Sequence, residues 1–218
     1  MTRKHPAKFS DNIMDQLAHV LLVEKGQQAT MWVLDPFAGV GRIHELRGIG
    51  IKTVGIEIEP EWADQSEHTM RGDAHSLPFP DGSFDAICTS PCYGNRMSDN
   101  FKAKDSSKRH TYRAYLGREV DERSSGKMQW GPAYQAFHII AWTEATRVLK
   151  PGGMFVLNTS NHIRNGEEQL VTEWHGEILL SLGYKPVGNY QVTTPRNRFG
   201  ANRDLRVEYE TIGIWRKP

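Results

Sequence analysis

Met31-Trp32-Val33-Leu34-Asp35-Pro36-Phe37-Ala38-Gly39-Val40-Gly41 decides how the rest of the chain is read. Its first part is a short apolar run with β-branched and aromatic side chains, which predicts a buried strand from Met31 to Phe37. The run closes in small residues, Ala38 to Gly41, where backbone can approach a ligand closely. The glycine spacing is not the GxGxxG of dinucleotide-binding turns.

Outward from this point, strands and helical stretches alternate. A second strand, Thr53 to Glu59, follows after one helix length, and Pro60 opens a helix containing Trp62. A short third strand leads into Gly72-Asp73-Ala74, and a fourth, Phe84 to Ser90, ends at Pro91. Phe137, Ile140, Ala141, Ala145 and Val148 recur at helical intervals and stop at Lys150-Pro151-Gly152-Gly153, after which Met154 to Asn158 is a fifth strand. Glu167 to Leu182 reads as a further helix, and Lys185 to Thr194 with Arg206 to Trp215 as an antiparallel hairpin. The pattern predicts an α/β fold with a mostly parallel sheet covered on both faces.

A length of 218 residues predicts one domain spanning 1–218. No apolar run approaches the roughly 20 residues of a membrane span, and the start, MTRKHPAKFSDN, lacks the apolar stretch of a signal peptide. The expectation is a cytoplasmic protein with no membrane association. Two cysteines, Cys88 and Cys92, are too few for a disulfide framework or a four-thiolate zinc site, and no histidine stands in an HExxH spacing, so no metal is predicted. Trp130, Trp142 and Trp174 read as packing residues.

Charge is nearly balanced, 27 Lys and Arg against 26 Asp and Glu, but unevenly spread. Nine cations and five anions fall between Gly94 and Lys127, which reads as a basic inserted loop over about 94–130. A second cluster comprises Arg196, Arg198, Arg203 and Arg206. Solvated loops carry such clusters by default; a nucleic-acid partner is the alternative.

Asp35, Glu57 and Asp73 each fall at the carboxyl end of a predicted strand, the edge at which open parallel sheets bind ligands. Glu57 is placed to accept hydrogen bonds from ribose hydroxyls. The stretches DPFAGVG (35–41), IEIEPEW (56–62), GDAHSLPF (72–79) and TSPCYG (89–94) occur in the order of the Rossmann-type methyltransferases that use S-adenosylmethionine. Within them the chain resembles the amino-methyltransferases that modify exocyclic nitrogens of nucleic-acid bases, from His5 to the end of the hairpin with the basic insertion excluded. The resemblance implies a class I Rossmann-like sandwich whose seven-stranded, mostly parallel sheet ends in an antiparallel hairpin. It implies that Asp35 with Phe37, Ala38, Gly39 and Gly41 holds the methionine part of the cofactor, while Glu57 binds ribose. Ile58 would pack on adenine, Asp73 would take its amino group with the Ala74 backbone close by, and the segment His5 to Phe9 would bring Phe9 to the methionine end.

Ser90-Pro91-Cys92-Tyr93 is similar to the catalytic tetrapeptide of these enzymes, an Asp, Asn or Ser followed by two prolines and an aromatic. An exocyclic amine is a poor nucleophile because its lone pair is delocalised into the ring. Oxygens that accept its two hydrogens draw the nitrogen toward tetrahedral geometry; Ser90 Oγ and the Pro91 carbonyl are the candidates. Tyr93 would stack on an extruded base. Cys92 departs from the second proline, which stiffens the turn, and reads as an inert thiol. Serine at the first position favours cytosine N4 over adenine N6.

Asn95 and Arg96 either contact a base edge or phosphate or form an ordinary turn. Lys108, Arg109, Arg196, Arg198 and Arg203 are the expected phosphate contacts of a DNA substrate. So short a recognition region suggests a second copy or a specificity partner. The alternatives are a transfer-RNA guanine-N2 methyltransferase, a protein or small-molecule methyltransferase, and a non-catalytic module that binds S-adenosylmethionine.

Overall fold

Side chains that alternate along each strand fill two cores, one on either face of a single sheet. The computed structural model describes residues 5–98, 111–194 and 205–218. The strands are β1 (Trp32–Asp35), β2 (Lys52–Glu57), β3 (Thr69–Arg71), β4 (Phe84–Thr89), β5 (Leu149–Thr159), β6 (His162–Arg164), β7 (Glu167–Gln169), β8 (Lys185–Thr193) and β9 (Tyr209–Arg216). The helices are α1 (Asp11–Lys25), α2 (Pro60–Ala63), α3 (Tyr112–Leu116), α4 (Pro132–Val148) and α5 (Val171–Ser181).

Seven strands form the main sheet in the order β3-β2-β1-β4-β5-β9-β8, parallel from β3 to β5 and antiparallel where β9 pairs with β5 and β8. This is the Rossmann-like sandwich expected of the sequence. Val33, Ala86, Cys88, Met154 and Val156 point to one face and pack with Ile13, Leu17 and Leu21 of α1. Leu34, Ile87, Phe155 and Leu157 point to the other, against Phe137, Ala141, Trp142 and Ala145 of α4. Cys88 is fully buried in the first core, where desolvation raises its pKa and keeps it a thiol. Trp142 is a core residue, as expected of it.

Three elements differ from the sequence expectation. The segment after Gly41 is a 3₁₀ helix, Arg42–Ile49, held between left-handed glycines Gly41 and Gly50. Residues 167–169 form β7, paired with β6 across Asn165-Gly166, so the helix expected from Glu167 begins only at Val171. Both turn residues have positive φ, 54° and 81°, the geometry for which an Asn-Gly pair is suited. The basic insertion is not all loop: its described part forms α3, and Tyr112, Leu116 and Val120 are buried against Trp62.

Candidate active site

A cavity of about 720 Å³ opens at the carboxyl ends of the parallel strands, where the backbone turns away from the sheet. Asp35 closes β1, is almost fully buried, and accepts hydrogen bonds from Phe37 N at 3.0 Å and Thr89 Oγ1 at 2.6 Å. It thereby ties the turn after β1 to the end of β4. Glu57 at the end of β2 accepts from Gly39 N at 2.9 Å and Glu59 N at 2.8 Å, so one carboxylate shapes two neighbouring turns.

Burial outweighs these hydrogen bonds and pushes both acids up to about 7, from ordinary values of 3.8 and 4.5. With folded pKa values above the unfolded ones, their stabilising contribution is complete below about pH 4 and lost as pH rises through about 7. Thermal unfolding of the ligand-free protein is therefore expected to show this contribution declining between pH 5 and 7.5. A midpoint that instead rises in step with pH, in Asp35→Asn and Glu57→Gln as much as in the parent, would contradict it.

Phe9, Phe37, Ala38 and Gly39 line the cavity on the β1 side, with Ile58, Asp73 and Ala74 on the β2 and β3 side. Gly39 has φ 54° and carries the His5 imidazole so close that a Cβ would lie 3.2 Å from it. The N-terminal segment thus reaches the glycine turn, and Arg42 fastens it by bonding the Phe9 carbonyl and the Asp11 carboxylate. His5 packs on Trp62 with ring centroids 4.3 Å apart, and burial holds its imidazole neutral with a pKa lowered to about 4. Gly41 is the exception among the expected cofactor residues. It does not line the cavity; its φ of 77° turns the chain, and a Cβ there would meet His44 at 2.7 Å.

Ser90, Pro91 and Tyr93 line the same cavity as Glu57 and Gly39. Tyr93 is more than a stacking ring, because its hydroxyl is bound to Ser90 Oγ at 2.8 Å and to Glu210 Oε2 at 2.9 Å. Asn158 of β5 joins them, 3.0 Å from Tyr93 Oη and 2.6 Å from Glu210. Sequence reasoning missed Asn158 and Glu210. The polar run Asn158-Thr159-Ser160-Asn161 at the end of an otherwise apolar buried strand was the available signal for the first. Nothing local marked Glu210, whose place depends on β9 pairing back onto β5. Asn95 spends its side-chain oxygen on Met97 N at 2.9 Å, the ordinary turn that was one of its two expectations.

The missing second proline has a structural substitute. Trp142 Nε1 donates to His175 Nδ1 at 2.9 Å, so the neutral ring carries its hydrogen on Nε2, 2.8 Å from Tyr134 Oη. Tyr134 in turn donates to the Cys92 carbonyl at 2.7 Å. Burial keeps His175 far below its ordinary pKa and so fixes the direction of this chain. Tyr134→Phe is expected to leave a partly buried carbonyl and a buried N–H unpaired, about 1–3 kcal/mol for the buried group and less for the other. A calorimetric midpoint unchanged from the parent would show that the turn is held otherwise. The Cys92 thiol is pushed up to about 11 by burial, consistent with an inert role.

The insertion packs against the turn that follows β2. Glu59, fully buried, accepts from Arg118 Nη2 at 2.8 Å and from Asp121 N at 2.7 Å. Arg113 pairs with Glu119 at 3.0 Å, and Arg123 with Asp121 at 3.2 Å and Asp73 at 3.6 Å. These three insertion arginines hold the chain's own carboxylates. Lys108, Arg109, Arg196, Arg198 and Arg203 lie outside the described residues, as does the side chain of Arg96. Among the described residues no cluster of His, Cys, Asp and Glu could hold a metal ion, and no helix is long and apolar enough to cross a membrane.

The donor set fits S-adenosylmethionine: a glycine turn that a Cβ would fill and a buried carboxyl group at the end of β2. Residues 34–95 match the family model described as "Methyltransferase domain". Fold, cavity and matched segment are similar to those of methyltransferases that use S-adenosylmethionine. Among solved structures, a methyltransferase from Methanosarcina mazei described as SAM-dependent aligns with a TM-score of 0.58 at 14% identity, over 90% of this chain and 96% of its own. The YcgJ protein of Bacillus subtilis aligns at 0.54 with 16% identity, over 93% and 98%. The Burkholderia thailandensis 1,6-didemethyltoxoflavin-N1-methyltransferase, solved with that compound and S-adenosylhomocysteine, aligns at 0.54 with 16% identity, over 94% and 77%. Comparison with curated protein sequences gives no match.

Proposed function

We propose that the chain methylates an exocyclic amino group of a nucleic-acid base, with DNA as the preferred carrier and cytosine N4 as the preferred nitrogen. One observation carries the proposal: Ser90 and Pro91 stand on the wall of the cavity that Gly39 and Glu57 also line. S-adenosylmethionine supplies a methyl group on a sulfonium. Ser90 Oγ and the Pro91 carbonyl accept the hydrogens of the incoming amine, which concentrates electron density on its nitrogen. Tyr93, tethered by its hydroxyl, offers its ring to the base, and Glu57 orients the ribose of the cofactor.

Support for a polyanionic carrier comes from where the two basic tracts leave the described chain. Met97 and Tyr112 flank residues 99–110, Thr194 and Arg206 flank residues 195–204, and all four line the cavity. Each tract carries a surplus of positive charge in sequence, with Lys102, Lys104, Lys108 and Arg109 in the first and Arg196, Arg198 and Arg203 in the second. A second copy or a specificity partner would extend so small a recognition surface.

A small heterocyclic amine is the second reading, favoured by the internal pairing of Arg113, Arg118 and Arg123. The toxoflavin-precursor enzyme, named for nitrogen methylation of such a compound, is a structural neighbour. The test is incubation with tritiated S-adenosylmethionine and, separately, methyl-free amplified DNA, transfer RNA, or a panel of heterocyclic amines, followed by digestion and chromatography. Labelled N4-methylcytosine or N6-methyladenine supports DNA. Label confined to the heterocycles supports the second reading, and no label in any acceptor overturns both.

A further inference from the structure

Resting on the amino-acceptor reading above, we propose that Glu210 makes the Ser90 hydroxyl an acceptor toward the substrate amine and takes up the proton that the amine loses. A serine hydroxyl is ambivalent, since its oxygen accepts while its hydrogen donates. Only the accepting arrangement activates an amine; a hydrogen aimed at the nitrogen would occupy the lone pair needed for attack. An aspartate carboxylate at the same position has no hydrogen to misplace.

The contacts around Ser90 resolve the ambiguity. A carboxylate only accepts, so the 2.9 Å contact from Tyr93 Oη to Glu210 Oε2 commits the phenolic hydrogen to Glu210. Tyr93 Oη then receives the Ser90 hydrogen across 2.8 Å. Asn158 Nδ2 has two hydrogens, and its two shorter contacts are to Glu210 at 2.6 Å and Tyr93 at 3.0 Å, with Ser90 Oγ farther away at 3.3 Å. Ser90 Oγ therefore keeps a lone pair for the substrate beside the long contact from Asn158, and the polarity of the chain is set from Glu210.

The same chain conducts the proton. As the new N–CH₃ bond forms, the S–CH₃ bond of the sulfonium breaks with its electron pair left on sulfur, and the positive charge passes to nitrogen. The surplus proton moves to Ser90 Oγ, the serine hydrogen to Tyr93 Oη, and the phenolic hydrogen to Glu210. The products are a neutral methylamine, a neutral thioether and a protonated carboxyl group, which is partly exposed and returns its proton to water.

The test uses purified protein and the acceptor that the wild type labels among methyl-free DNA, transfer RNA and heterocyclic amines. Glu210→Gln is expected to lower kcat by about 10²-fold while the KM for S-adenosylmethionine and the thermal midpoint stay near the parent values. In a Ser90→Asn background, where no hydroxyl needs orienting, the same substitution should cost almost nothing. If Ser90→Asn is itself too slow to measure, the solvent isotope effect on single turnover serves, and it should be larger in the wild type than in Glu210→Gln. An unchanged kcat in Glu210→Gln, an equal loss in both backgrounds, or identical isotope effects overturns the inference and leaves the functional reading standing. Absence of wild-type labelling overturns the functional reading and this inference with it.

Discussion

Ser90→Ala is expected to lower kcat by about 10²–10³-fold, some 3–4 kcal/mol of transition-state stabilisation, with cofactor affinity left within about twofold of the parent. The split follows from position. Ser90 follows β4 on the wall where the proposed function places the acceptor, whereas Asp35 and Glu57 shape the glycine turn after β1. On the proposed function, alanine removes one of two acceptors for the amine, and it also takes from Tyr93 Oη its Ser90 partner. Because the Pro91 carbonyl remains, turnover should fall steeply rather than vanish. Titration of cofactor binding, set beside single-turnover rates, separates the two quantities. A loss confined to binding would move Ser90 out of the acceptor site, and no loss of either kind would remove the tetrapeptide from the chemistry.

The second large effect is expected at Glu57. Glutamine has nearly the same shape, but its amide nitrogen donates, and Glu57 receives two backbone N–H groups, from Gly39 and Glu59. One of them must face another donor in Glu57→Gln. An unsatisfied buried donor costs about 1–3 kcal/mol, and a lost charged acceptor for a ribose hydroxyl costs a similar amount. Cofactor affinity should therefore fall by about 10²-fold or more, measured by calorimetry, with kcat at saturating cofactor much less affected. The variant also removes one of the two acids raised to about 7, so its stability should fall less between pH 5 and 7.5 than that of the parent. Unaltered affinity would place the ribose elsewhere in the cavity.

Ser90 and Glu57 are legible in the amino-acid sequence because each lies where a local pattern ends. A strand of apolar residues that stops at an acid or at a serine-proline pair marks the carboxyl edge of a sheet. Parallel strands joined by crossovers bring those edges together. Asp35, Glu57 and Asp73 could therefore be placed on one cavity from sequence order and spacing, and Ser90 through the resemblance of its tetrapeptide. Asn165-Gly166 is an equally local hairpin signal, which the reading of a helix from Glu167 passed over.

Sequence alone determined the layered α/β architecture, the edge at which a ligand binds, and the residue types gathered there, because hydrophobic periodicity and turn chemistry are properties of consecutive residues. Only the tertiary structure decided what those residues face. Glu210 meets Tyr93 across 117 positions, and Tyr134 reaches Cys92 across 42, through contacts set by strand pairing and helix packing. Arg118 of the insertion is likewise drawn to Glu59 and Glu61. Hydrogen-bond polarity and charge neutralisation depend on which distant groups come within about 3 Å of one another. Linear order does not encode that proximity directly; the packing of the two cores imposes it.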